Sequence, residues 1–92
     1  MIVRILTEGQ YYFPGAYIDE LNKVDNQLVD AVGTENLVEF QRLLRQMLDL
    51  VREKSTPVPL DELVESDLVL PAPDITLKEA AELFTGEGLV PG

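Results

Sequence analysis

Hydrophobic positions along this chain follow first a strand period and then a helix period, before a third stretch that obeys neither. Met1 to Leu6 is rich in β-branched residues and alternates around Arg4, which predicts a strand. Glu8-Gly9-Gln10 is a turn signal. Gln10 to Phe13 predicts a second short strand, ended by Pro14-Gly15. From Ala16 to Val32 the period becomes helical. Ile18, Leu21, Val24, Leu28 and Val32 recur at three-and-four spacing, with Asp19, Glu20, Asn22, Lys23, Asn26 and Asp30 largely opposite. Gly33 suits the left-handed residue that closes a helix, and Thr34 followed by Glu35 predicts the N-cap and first turn of the next. That second helix runs to about Lys54, with Leu37, Phe40, Leu44, Met47 and Val51 as a seam that Leu43, Leu48 and Leu50 widen. The short Gly33-Thr34 connection implies an antiparallel helical hairpin.

Pro57 to Pro73 breaks both periods. Pro57, Pro59, Pro71 and Pro73 fix φ, remove backbone donors and push the preceding residues out of the helical region. Between them Leu60, Leu63, Val64, Leu68, Val69 and Leu70 interleave with Asp61, Glu62, Glu65 and Asp67. A segment this apolar that cannot be a long helix is either the lid of the domain's own core or a docking strip for another protein. Its apolar residues gather toward Pro71 and its acids toward Pro59. Leu68, Val69 and Leu70 are therefore expected to lock the strip down, with an added strand at Asp67 to Leu70. Asp61, Glu62 and Glu65 are expected to face outward. Beyond it Thr76 and Glu79 make a capping box, Ile75 can staple against Ala80, and the third helix is expected to end near Thr85-Gly86. Leu89 and Val90 suggest that the closing tail packs. The expected fold is α+β, a small single domain over residues 1–92. It comprises an N-terminal β-hairpin against an antiparallel helical pair, an extended Pro-rich strip and a short C-terminal helix.

Charge sharpens this picture. The net charge is −10, and it is uneven: residues 1–54 carry six Lys/Arg against nine Asp/Glu, whereas residues 55–92 carry only Lys78 against eight acids. Such a field repels phosphates and anionic headgroups, so neither nucleic acid nor direct membrane insertion is expected. No apolar run approaches the roughly 20 residues that span a bilayer, and the opening Met1 to Leu6 is too short for a signal-peptide core. With no cysteine either, we read the protein as soluble and cytoplasmic.

Catalytic chemistry is sparse. The chain has no histidine and no cysteine, which removes the usual neutral-pH base, the commonest metal ligands and the thiol and Ser–His nucleophile systems. Lys23, Lys54 and Lys78 sit in polar helical settings. The glycines match no phosphate-cradling loop and no EF-hand is present. An enzyme is not expected, and neither is a cofactor. The concentrated basic feature is Arg42, Arg45 and Arg52 on the second helix, with Asp49 placed to pair with Arg45 at i,i+4. These arginines are either a salt-bridged outer face or an acid-binding edge. With Asp61, Glu62 and Glu65 they form the candidate partner-binding set.

The ends of the chain carry a family pattern. Met1 to Ile5, Glu8 to Tyr11, Asp61 to Val64, Ser66 to Pro71, Asp74, Thr76-Leu77 and Gly88 to Gly92 resemble the PspA-associated domain family, PspAA. The resemblance covers essentially the whole chain, and Ser66 to Pro71 and the terminal Gly88 to Gly92 are its most specific parts. It implies an accessory or regulatory partner of PspA, the coiled-coil, membrane-protecting protein of the phage-shock envelope-stress response. That implies a cytoplasmic location, peripheral to the membrane through PspA, with no catalytic residues to carry over. The alternative is a self-associating scaffold held by the broad apolar face of the second helix.

Overall fold

In a computed structural model that describes residues 1–83, a four-stranded mixed sheet carries a helical pair against one face. The elements are β1 (Ile2–Ile5), β2 (Gly9–Tyr12), a 3-10 turn (Gly15–Tyr17), α1 (Ile18–Gly33), α2 (Leu37–Lys54), β3 (Thr56–Pro57), β4 (Leu68–Leu70) and α3 (Leu77–Leu83). The expected α+β hairpin, helical pair, added strand and short third helix are all present. The strands lie in the order β3-β2-β1-β4, with β1 antiparallel to β2, β2 antiparallel to β3, and β4 parallel to β1.

Period-two alternation sorts the sheet. Val3 and Ile5 pair with Leu68 and Leu70, and all four point into the core, whereas Arg4 and Val69 point the other way and are exposed. Val69 is therefore not part of the lock expected of it; it is 45% exposed on the open face. The hairpin turn is Leu6-Thr7-Glu8, two residues earlier than the expected Glu8-Gly9-Gln10. Glu8 N–H donates to Ile5 O at 3.0 Å, Thr7 takes a φ of 76°, and Gly9 is the first residue of β2.

β3 was not foreseen. It is two residues long and contains a proline, which is tolerated because β3 is an edge strand with no outer neighbour to receive its missing N–H.

Leu21, Val24, Leu28, Ala31 and Val32 of α1 meet Phe40, Leu43, Leu44, Met47, Leu48, Leu50 and Val51 of α2 in one buried cluster with the sheet. Asp25 is buried on α1 as well. Leu37 departs from its expected place in the seam. As the first residue of α2 it lies where the chain has just turned away from α1, and it is half exposed.

The junction between the helices also differs from expectation. Gly33 stays in the last turn of α1, and the residue with left-handed φ is Glu35, at 54°. Asn36 N–H donates to Ala31 O at 2.9 Å and Glu35 N–H to Val32 O at 3.1 Å, the paired bonds of a Schellman closure. Thr34 does not cap α2; its hydroxyl donates back to Asp30 O. The N-cap is Asn36, whose Oδ1 accepts from Glu39 N–H at 3.2 Å. One asparagine thus ends α1 and starts α2. The capping box of α3 forms as expected: Glu79 N–H donates to Thr76 Oγ1 at 3.1 Å and Thr76 N–H to Glu79 Oε1 at 3.2 Å. Those bonds from Thr76 hold the Glu79 carboxyl below its usual range. Ile75 and Ala80 both join the core. The expected helix end at Thr85-Gly86 and the packing of Leu89 and Val90 lie outside the described residues.

Two substitutions test the junction. Glu35→Gly relieves a left-handed φ and should raise stability by about 1 kcal/mol, whereas Asn36→Ala should lower it by roughly 0.5–2 kcal/mol. Urea melts of the two variants measure both. A neutral Asn36→Ala would show that α2 starts elsewhere.

Candidate interaction surface

β3 and β4 occupy opposite edges of the sheet, so residues 58–67 must travel from one edge to the other. They do so as a strap over the face that the helices leave open. Three inter-strand spacings amount to about 14 Å, while ten extended residues reach about 33 Å. The surplus chain becomes a projecting tip.

The outward side chains of β2 hold the strap down. Gln10 Nε2 donates to Val64 O and to Ser66 Oγ, each at 2.9 Å. The Tyr12 hydroxyl donates to Glu62 Oε1, a bond that pushes the Tyr12 phenol above its ordinary value. Val58 N–H donates to Gln10 O at 3.0 Å at one end of the strap. At the other end Asp67 N–H donates to Ile2 O at 2.7 Å and Asp67 Oδ2 accepts from Ile2 N–H at 2.6 Å. Between these anchors Glu62 N–H donates to Pro59 O at 3.0 Å, closing a turn with Leu60 and Asp61 at its corners.

Asp61, Glu62 and Glu65 are exposed on this strap, where sequence reasoning placed them. The surprise is their apolar neighbours. Leu60 is 100% and Leu63 is 96% exposed, so at these two positions the strip is not a lid on the domain's own core. The ends, Val58 and Leu68, are buried, and Val64 and Ser66 between them are half-buried under the Gln10 clamp. No periodicity could have separated Leu60 and Leu63 from Leu68 and Leu70, since the difference lies in which residues the crossing leaves slack.

The three arginines do not form one patch. Arg42 donates from Nε and Nη2 to both carboxylate oxygens of Glu39, at 3.1 and 2.7 Å, on the exposed start of α2. Arg52 is the centre of a different cluster: it grips Glu8 of the β1–β2 turn through two nitrogens and donates to Asp49 Oδ1 at 3.1 Å. Asp49 therefore pairs at i,i+3 with Arg52 and not at i,i+4 with Arg45, because Arg52 is already anchored by Glu8 within its reach. Arg45 is exposed and lines a groove of about 570 Å³ between α2 and Pro73-Asp74-Ile75, together with Arg52 and Asp49. The Arg52 guanidinium holds the Glu8 carboxyl below its usual range, and Glu8 in turn raises the guanidinium. This contact ties the hairpin turn to the C-terminal end of α2.

Among the described residues no group of three or more histidine, cysteine or acidic side chains is placed to hold a metal ion, and no helix is long and apolar enough to cross a membrane. What this surface offers chemically is carboxylates, two fully exposed leucines and a hydrogen-bonded backbone. A family model described as PspA-Associated protein matches residues 1–92, the whole chain. No curated protein and no solved structure matches it.

Removing the amide that clamps the strap, Gln10→Ala, should cost about 1–3 kcal/mol in a denaturant melt. A change under about 0.3 kcal/mol would mean the strap is not held there. The Glu8–Arg52 contact predicts a pH dependence. Because the folded Glu8 value lies below the unfolded one, its contribution is present above the ordinary carboxylate range and is lost as pH falls through the depressed value. Wild type should exceed Glu8→Gln by up to about 1 kcal/mol at neutral pH, with the gap closing as the pH falls through and below the ordinary carboxylate range. A gap that persists in acid would contradict the pairing.

Proposed function

The chain belongs to the PspA-associated protein family, and from that premise we propose that it is a non-enzymatic interaction module of the phage-shock system. It binds a PspA-type coiled-coil protein and adjusts its response to envelope stress. The whole-chain family match is the observation that carries this reading. The physical case runs alongside it. Against the basic positions of a long, charged helical partner this domain would set Asp61, Glu62 and Glu65, all exposed on an ordered strap. Arg42 and Arg52 are occupied within the chain, which leaves Arg45 as the basic member of the set for a partner carboxylate. A domain of net charge −10 works in the cytoplasm and approaches anionic lipid only through that partner. Self-association through the apolar face of α2 is disfavoured, because Phe40, Leu44, Met47 and Val51 are spent in the domain's own core.

Reversing Asp61, Glu62 and Glu65 to lysine tests the reading. Exposed charge changes usually stay within about 0.5 kcal/mol each and Glu62 also gives up its bond from Tyr12, so circular dichroism should show an intact fold and urea melts a loss of no more than about 2–3 kcal/mol. Titration against the purified PspA-type protein of the same genome should show weaker binding with a flatter salt dependence, since rim charges govern steering. A folded triple variant that binds as well as wild type would leave the acids as solvating surface only.

A further inference from the structure

We infer that Leu60 and Leu63 are the apolar anchors of the partner contact, a preformed knob that inserts into an apolar groove rimmed by basic residues on a helical partner. The inference rests on the PspA-binding reading and specifies its surface. Scattered half-exposed apolar residues are ordinary on a folded protein, as Leu37 and Val69 are here. Leu60 and Leu63 differ in degree and in placement. They are 100% and 96% exposed, they lie three residues apart, and the backbone that carries them is tied down rather than loose. Pro59 O accepts from Glu62 N–H on one side, Tyr12 holds Glu62, and Gln10 holds Val64 and Ser66 on the other. Ordering the tip in advance lowers the entropy lost on association. The leucines gain nothing inside the domain in return for their exposure, and a contact that buries them recovers that free energy.

Charge selects the occupant. From Ser55 to Leu77 the chain holds no lysine or arginine, and Asp61, Glu62, Glu65 and Asp67 surround the leucines. A groove that accepts this knob must therefore be basic at its rim. A second copy of the chain does not provide one. Its groove with Arg45 and Arg52 also contains Asp49 and Asp74, Arg52 is already held by Glu8 and Asp49, and two copies approach at −10 each. A row of basic residues beside the apolar seam of a coiled coil supplies both parts of the match.

The test uses Leu60→Ser/Leu63→Ser, with Leu60→Ser alone as a milder variant and Val38→Ser, an exposed apolar site on α2, as the control. Neither leucine touches the core, so urea midpoints should match wild type. Titrated by calorimetry against the purified PspA-type protein, the double variant should bind at least about 10-fold more weakly, Leu60→Ser should fall between it and wild type, and Val38→Ser should bind normally. A folded double variant within about two-fold of wild type overturns the anchor assignment while leaving PspA binding intact. So does an equal loss in Val38→Ser. If wild type itself fails to bind, the PspA reading fails and the anchors fall with it. If light scattering shows that the leucines govern only self-association, a second copy is the occupant and the inference is overturned.

Discussion

A topological constraint organises this small domain: the strand that follows the helical pair joins one edge of the sheet, and the next strand in sequence joins the other. β3 beside β2 and β4 beside β1 cannot be connected without crossing two strands. The helices already occupy one face, so the crossing runs over the other. That single requirement explains why the segment is rich in proline and poor in regular structure, why β2 points Gln10 and Tyr12 outward as polar clamps, and why slack chain projects at Leu60 to Leu63. The parallel pairing of β4 with β1 closes the arrangement by burying Leu68 and Leu70 against Val3 and Ile5.

The rest of the molecule supports that crossing. The helical pair supplies most of the buried apolar residues, and Asn36 serves both helices at their junction. Arg52 joins the end of α2 to the turn between β1 and β2 through Glu8, which fixes the hairpin against the helices. Lys54 lies over the Tyr17 ring at 5.3 Å, and Tyr17 meets Phe13 edge-on at 6.5 Å, so the same end of α2 is also tied to the 3-10 turn. Arg42, Arg52 and Lys54 thus serve as internal ties, and four exposed carboxylates, Asp61, Glu62, Glu65 and Asp67, follow one another along the strap. A domain built this way presents one chemically distinct face.

Much of this was legible in the sequence. Strand alternation in Met1 to Leu6, the three-and-four spacing of Leu21, Val24 and Leu28, and the Thr76–Glu79 box each rest on local physics, and local physics decided them. The misses have a common cause, which is competition settled by tertiary geometry. Gly33-Thr34 carries stronger local signals for a helix junction than Glu35-Asn36, but the closure falls where α1 runs out of partners. Asp49 had two arginines within reach, and the distant Glu8 decided between them. Thr56–Pro57 is too short and too proline-rich to read as a strand, and pairing with β2 makes it one. The exposure of Leu60 and Leu63 was hidden for the same reason: four similar leucines in one strip are distinguished only by the path the chain must take. The acids of the strap were placed correctly because carboxylates have a strong preference for water wherever the backbone goes.

Amide hydrogen exchange reports on the crossing most directly. Leu6 N–H donates to Leu70 O and Asp67 N–H to Ile2 O, bonds that exist only if β4 lies against β1 with the strap drawn across the sheet. Both amides should exchange slowly, with protection approaching that of core amides in α2 such as Met47, while Leu60 and Leu63 exchange quickly. Rapid exchange at Leu6 and Asp67 alongside a protected α2 would show that the strap and β4 are not docked, and the account of the fold's open face would be wrong.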